Sequence, residues 1–294
     1  MAEAEAQTEE AGATSPHLEQ DDKRLAAEHT APRALIIHEL VREEGEQGLK
    51  QPVAALAWSG FAAGLSMGFS FLTLAIIRSH LPDAPWRPLV DSAGYSVGFI
   101  IVILGRQQLF TETTVTAVLP LLIRRNRETL LSVLRFWSIV LSANLVGALC
   151  FAAVISPAGL FSDPIRQALI DTGHEAVSSE FLPTLVRAVF AGWLIALMVW
   201  ILPSARSARL FVILIITYVV ALGRLSHTVA GTVDAAFLVF SDNGTVASFF
   251  ARFLIPTLIG NAIGGVALVA LLNHAPLVAA LQKDPDHTGP ASQN

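Results

Sequence analysis

A single cysteine, Cys150, stands in the 294 residues, and it lies within an apolar stretch. One thiol forms no internal disulfide framework and no thiolate metal cluster. Charge is also scarce: 15% of residues are charged against 53% hydrophobic, with a mean hydropathy of +0.57. Ordinary soluble domains carry about 25% charged residues, so this composition excludes that class and leaves an integral membrane protein. Nor is there a basic run able to track phosphates, which excludes nucleic acid as a partner. The only long charged stretch is acidic.

That stretch opens the chain. Residues 1 to 30 hold eight acids against Lys23 and Arg24, a balance of −6. Acidic and without a basic-then-apolar leader, it reads as a disordered cytoplasmic tail and not as a signal peptide. A short surface helix is expected next, since Leu35, Ile36 and Leu40 recur at roughly helical spacing between Pro32 and Gly45. The resulting organisation is a tail with an amphipathic helix (1–50), a transmembrane domain (51–275) and a cytoplasmic C-terminal tail (276–294).

A helix needs about 20 apolar residues to cross the hydrocarbon core. Residues 53–77, 131–156, 184–202 and 252–273 each fit one continuous passage. Residues 89–123 and 211–240 are too long for one, and their polar and charged residues fall in the middle. Backbone leaves the helix at membrane depth only where protein or a watery cavity surrounds it. Both segments therefore read as broken helices facing a pathway, six passages in all. Arginines set the orientation: Arg124, Arg125, Arg127, Arg206 and Arg209 crowd 122–130 and 203–210, whereas 78–88, 157–183 and 241–250 hold only Arg78, Arg87 and Arg166. The positive-inside bias places both termini in the cytoplasm.

The broken segments also match each other. "LGRQQLFTETTV" at 104–115 aligns with "LGRLSHTVAGTV" at 222–233, and "NLVGAL" at 144–149 follows the first as "NAIGGV" at 261–266 follows the second. Two ordered signals at nearly constant separation indicate a duplication of three helices each. With three passages per half, the halves are inverted in the membrane, a design that puts a transport site near the midplane.

The residues at the breaks suggest its chemistry. Gly105, Gly223 and Gly231 are expected to allow the turns, and Asn144 and Asn261 to cap backbone groups freed there. His227 is the one residue at a break whose charge changes between about pH 5 and 8. Leu109 and Phe110 are candidates for an apolar constriction, with the Thr111 hydroxyl beside them. Arg106 and Arg224 occupy equivalent places. Either they attract anions, or Glu112 and Asp234 neutralise them. The second is expected, because an unpaired arginine at membrane depth costs several kcal/mol.

"LFTETTV" at 109–115, "SHTVAG" at 226–231, "NLVGAL" and "IPTLIGNAIGGVALVAL" at 255–271 together resemble the formate/nitrite transporter family, in order over roughly residues 50 to 275. The resemblance implies an aquaporin-like, all-α fold in the inner membrane and a homopentamer with one pore per subunit. It implies passage of a small monovalent anion or its weak acid, with a proton. It puts His227 at the pore centre near Thr111, with Leu109 and Phe110 on the path and Ser226 beside them. The chain departs from the family pattern at Ser226, where glutamate is usual, at Gln108, where an acid is usual, and at Arg106 and Arg224, where glycine is usual. The fourth-helix lysine and asparagine that accompany anion passage are replaced by about Ala176 and Gly192.

No catalytic residue, metal ligand or cofactor is expected. Ser226 and His227 are a poor nucleophile–base pair, since neighbours on a helix point about 100° apart. The alternatives are a neutral-solute or weak-base pore, and a non-conducting sensor or scaffold on the same fold.

Overall fold

The computed structural model describes residues 34–266, and every regular element among them is helical. The acidic segment 1–30, the end of the last passage and the tail 276–294 lie outside the described residues. In chain order the helices are α1 (Ala34–Lys50), α2 (Val53–Ser79), α3 (Arg87–Leu104), α4 (Phe110–Arg124), α5 (Arg127–Ile155), α6 (Asp163–Val177), α7 (Phe181–Ala205), α8 (Arg209–Leu222), α9 (Thr228–Phe240) and α10 (Val246–Val266). Of these, α2, α3, α5, α7 and α10 are long and apolar enough to cross a bilayer, while α8 and α9 are shorter apolar helices. Two depart from α geometry inside. A 3₁₀ turn at Ser92–Tyr95 interrupts α3, and Phe249–Leu254 of α10 is π-helical, next to Pro256, which has no N–H to continue the ladder.

Packing follows small residues. Where α2 crosses α5, a Cβ on Gly64 would lie 2.2 Å from the Asn144 carbonyl oxygen; where α7 crosses α10, one on Gly192 would lie 2.4 Å from that of Asn261. Hydrogen side chains let the helix backbones meet, as is common where lipid supplies no hydrophobic drive between helices.

The amphipathic helices follow the same plan. α1 lies against α4 and α7, and α6 against α9 and α2. Gly45 of α1 faces the Thr116 carbonyl oxygen, where a Cβ would come to 2.0 Å, and Gly173 of α6 faces that of Asp234 at 2.9 Å. Two expectations are corrected here. α1 does not stop at Gly45 but runs on to Lys50, and it buries His38, Val41, Gly45 and Gly48, whereas Ile36 and Leu40 are 48% and 45% exposed. The apolar stripe was read from large side chains, but the tight contact is made by glycine. Segment 157–183 is not a plain loop, since α6 occupies most of it. Its start signal is the Ser162-Asp163-Pro164 run, with proline in the first turn.

Candidate functional site

Both interruptions are built alike. α3 ends at Leu104, and Arg106 adopts φ 51°; α8 ends at Leu222, and Arg224 adopts φ 49°. At the first, Arg106 N–H donates to Ile103 O at 3.2 Å and Gln107 N–H to Val102 O at 2.9 Å; at the second, Arg224 N–H donates to Ala221 O and Leu225 N–H to Val220 O, each at 2.9 Å. This paired bonding closes a helix through one left-handed residue, a place where glycine is favoured. The residues expected to allow the turns are therefore displaced by one: Gly105 and Gly223 have ordinary helical φ of −76° and −77°. Gly231 serves packing, since a Cβ there would meet the Phe253 ring at 2.5 Å. Arg106→Gly is accordingly expected to stabilise the protein by about 1 kcal/mol, relieving left-handed strain. A raised thermal midpoint of the solubilised protein checks this, and a lowered one contradicts it.

After each turn the chain is extended, at Leu109 (φ −108°, ψ 127°) and at His227 (φ −115°, ψ 129°), before α4 and α9 begin. One asparagine brackets each. Asn144 Oδ1 accepts from Phe110 N–H at 2.8 Å, while its Nδ2 donates to Gly60 O at 2.7 Å and Gln108 O at 2.9 Å. Asn261 Oδ1 accepts from Thr228 N–H at 2.8 Å, while its Nδ2 donates to Ala188 O at 2.8 Å and Ser226 O at 2.9 Å. Backbone that would be orphaned in a dry interior is thus satisfied three groups at a time.

The brackets bring the breaks together. His227 Nε2 lies 2.7 Å from Thr111 Oγ1, both residues are buried, and Phe99 packs edge-on against the imidazole at 5.0 Å between centroids. Nδ1 accepts from Ala230 N–H at 3.3 Å, so the hydrogen-bond pattern assigns the neutral ring its proton on Nε2, directed at Thr111. Leu109 joins the central apolar cluster with Phe71, Phe99 and Phe253. Phe110 does not. It packs with Leu56, Val133 and Phe136 and meets Trp137 edge-on, so only one of the two residues expected at a constriction reaches the centre. Successive residues at a helix start point in different directions, and α4 turns Phe110 toward α2 and α5.

The arginine pairings differ from expectation as well. Neither Arg106–Glu112 nor Arg224–Asp234 forms. Arg106 is exposed and makes no ion pair among the described residues, while Arg224 reaches Glu175 Oε1 at 3.3 Å. At the second turn Glu175, held on the cavity wall by Arg78, takes the place expected of Asp234. Glu112 and Asp234 each keep one buried carboxyl oxygen without a hydrogen-bond partner.

A cavity of ≈ 90 Å³ reaches His227, with Tyr95, Glu175, Arg187, Arg224, Ser226 and Asp234 on its walls. Behind Glu175 stands a buried clasp: Arg78 Nε donates to Asp91 Oδ2 at 2.8 Å, and Arg78 Nη1 to Thr172 Oγ1 at 3.1 Å and Glu175 Oε1 at 3.2 Å. Sequence reading missed Phe99, Glu175 and this clasp. Helix α6 has a readable start, but nothing local reveals that it turns Glu175 toward Arg78, 97 residues earlier. Among the described residues no three His, Cys, Asp or Glu side chains converge on a metal site.

Bilayer-length helices packed around two joined chain breaks, with a cavity reaching the junction, describe a helical membrane transport protein. The chain belongs to the formate/nitrite transporter family, whose sequence model matches residues 36–275. It is 40% identical over 260 residues to the inner membrane protein YfdC of Escherichia coli (strain K12), covering 88% of this chain and 82% of that protein. It is 27% identical over 242 residues to the formate channel BtFdhC of Bacillus thuringiensis, covering 79% and 91%. Two solved structures share the fold: a pentameric formate channel with formate bound (TM-score 0.65, 18% identity, 81% of this chain and 99% of that one) and an FNT family ion channel (TM-score 0.70, 19% identity, 83% and 98%).

Proposed function

We propose that this chain conducts small monovalent anions, or their conjugate weak acids, through a pore centred on His227 and Thr111. The observation that carries the reading is the buried His227–Thr111 contact where the two breaks meet, at the end of the cavity. The names of the formate channels among its relatives support the choice of solute class. The recurring brackets and crossings support six passages arranged as two inverted halves with two broken helices. The pentameric neighbour supports five subunits with a pore in each. The arginine count supports cytoplasmic termini, and the inner membrane relative supports an inner membrane for this chain. Impermeant labelling of a cysteine introduced at Ser79, in a Cys150→Ser background, tests the orientation, and labelling at Ser207 instead reverses it.

The mechanism follows from cost. A bare anion at an apolar constriction such as Leu109 loses hydration, which is far more expensive for the charge than for its neutral acid. Nε2–H and the Thr111 hydroxyl first offer the anion hydrogen bonds. A proton arriving at Nδ1 displaces the Ala230 N–H and makes both ring nitrogens donors. Nε2 then passes its proton to the anion, leaving a neutral imidazole protonated on Nδ1, and the solute crosses as an acid. At rest Nδ1 caps α9.

The test is flux into proteoliposomes, above that of protein-free vesicles, for formate, nitrite, acetate, lactate and hydrosulfide against ammonium and glycerol. Weak-acid flux is expected to rise as external pH falls from about 7 to 5, because each solute that crosses takes up one proton through His227. His227→Asn is expected to assemble and to lose that rise. Passage of only the neutral or basic solutes overturns the reading, and an unchanged pH profile in His227→Asn removes the histidine from the mechanism.

A further inference from the structure

The cavity wall carries two guanidinium groups whose situations differ from that of the arginine behind them. Arg78 is buried and fully engaged: besides Asp91 and Thr172 it holds both oxygens of Glu175, Oε1 at 3.2 Å and Oε2 at 3.4 Å. Arg224 is 59% exposed and touches Glu175 through one contact of 3.3 Å, to the oxygen that Arg78 Nη1 already holds. Arg187, also exposed, donates among the described residues only to the Ser179 hydroxyl, at 2.8 Å. Arg187, Arg224, Ser179 and Ser226 line the same cavity as His227.

We propose that Arg224 is an exchangeable anion-binding residue, at which an entering carboxylate replaces Glu175 on the guanidinium before moving to His227. The inference rests on reading the chain as a pore for small anions and names the residue that first selects them. The exchange is cheap on both sides. Glu175 gives up one long, solvated contact and keeps both contacts to Arg78. Arg224 gives up its one ion pair among the described residues for a ligand that can meet its planar fork with two oxygens, the geometry in which guanidinium binds carboxylate best. The turn holds Arg224 two residues before Ser226 and three before His227, so the captured anion already stands at the entrance to the centre. Glu175 also has a reason to remain. A cation with no competitor would hold the anion too long, and conduction requires binding weak enough to release.

The test is the concentration dependence of formate uptake into proteoliposomes at one fixed pH. Arg224→Gly removes the guanidinium and suits the left-handed backbone, so it is expected to assemble. It should raise the half-saturating formate concentration about fivefold, the scale of one solvated charge-assisted contact. Glu175→Gln frees Arg224 of its internal competitor and should lower that concentration by about threefold, a change that damage to the fold does not produce. In the double variant the effect of Glu175→Gln should vanish, since it acts through Arg224. A half-saturating concentration within about twofold of wild type in Arg224→Gly, with flux continuing, overturns the proposal and leaves the pore reading intact. So does a Glu175→Gln variant that is unchanged or weaker. Absence of formate uptake by the wild-type protein, above protein-free vesicles, overturns both.

Discussion

Asn144→Ala and Asn261→Ala are each expected to remove most of the folded, assembled protein. Each amide satisfies three backbone groups from two other parts of the chain, at 2.7–2.9 Å, and both residues are essentially fully buried. Alanine leaves those groups unpaired where neither water nor lipid can replace the partner. A buried orphan costs about 1–3 kcal/mol, so three together approach the whole stability of a typical domain, about 5–15 kcal/mol. The damage also falls at the junction, because Asn144 positions Phe110, the residue before Thr111, and Asn261 positions Thr228, the residue after His227. Yield of detergent-stable oligomer on size-exclusion chromatography measures the effect. Aspartate is expected to be nearly as harmful, since it keeps the acceptor and loses both donors. Wild-type yield and thermal midpoint in both alanine variants would show that the brackets do not hold the breaks.

Gly64→Val and Gly192→Val are expected to come next in severity. Even a bare Cβ would sit 2.2 Å from the Asn144 carbonyl oxygen at the first position and 2.4 Å from the Asn261 carbonyl oxygen at the second. The obstacle is backbone in both cases, so no rotamer relieves it and the helices must separate. Overpacking typically costs about 1–3 kcal/mol where side chains can shift, and here they cannot. Separation would also withdraw the bracketing asparagines from their partners, coupling the crossing to the site. A lowered thermal midpoint, with loss of oligomer, checks this. Ser142→Val, on an exposed position of α5, serves as the control and should leave both unchanged. If Gly64→Val and the control behave alike, the crossing is looser than the distances imply.

Legibility in the sequence followed the range of the interaction. The passages could be read from length and hydropathy because a lipid core imposes about 20 apolar residues on any helix that crosses it, whatever its neighbours. The interruptions could be read because charge and glycine in the middle of such a run demand surroundings other than lipid. The matched "NLVGAL" and "NAIGGV" pointed to two asparagines, and the structure finds both in the same role, bonded to the same three kinds of backbone group.

Local pattern was thus enough to establish a helical membrane protein with two interrupted apolar runs and a histidine at one of the interruptions. Each of those depends on residues within a few turns of one another. Tertiary structure alone decided which side chains meet. It paired Arg224 with Glu175, 49 residues away, instead of Asp234 on the next helix, and it set Thr111 against His227 across 116 residues. It turned Phe110 toward α2 and α5 while Leu109 joined the larger apolar cluster, and it set Gly45 of α1 directly on the Thr116 carbonyl of α4. The reason is that helical periodicity states which residues share a face, while the partner of that face depends on which helix approaches and how closely. At these crossings that distance is set by hydrogen side chains and by backbone carbonyls, which carry no hydrophobic signal.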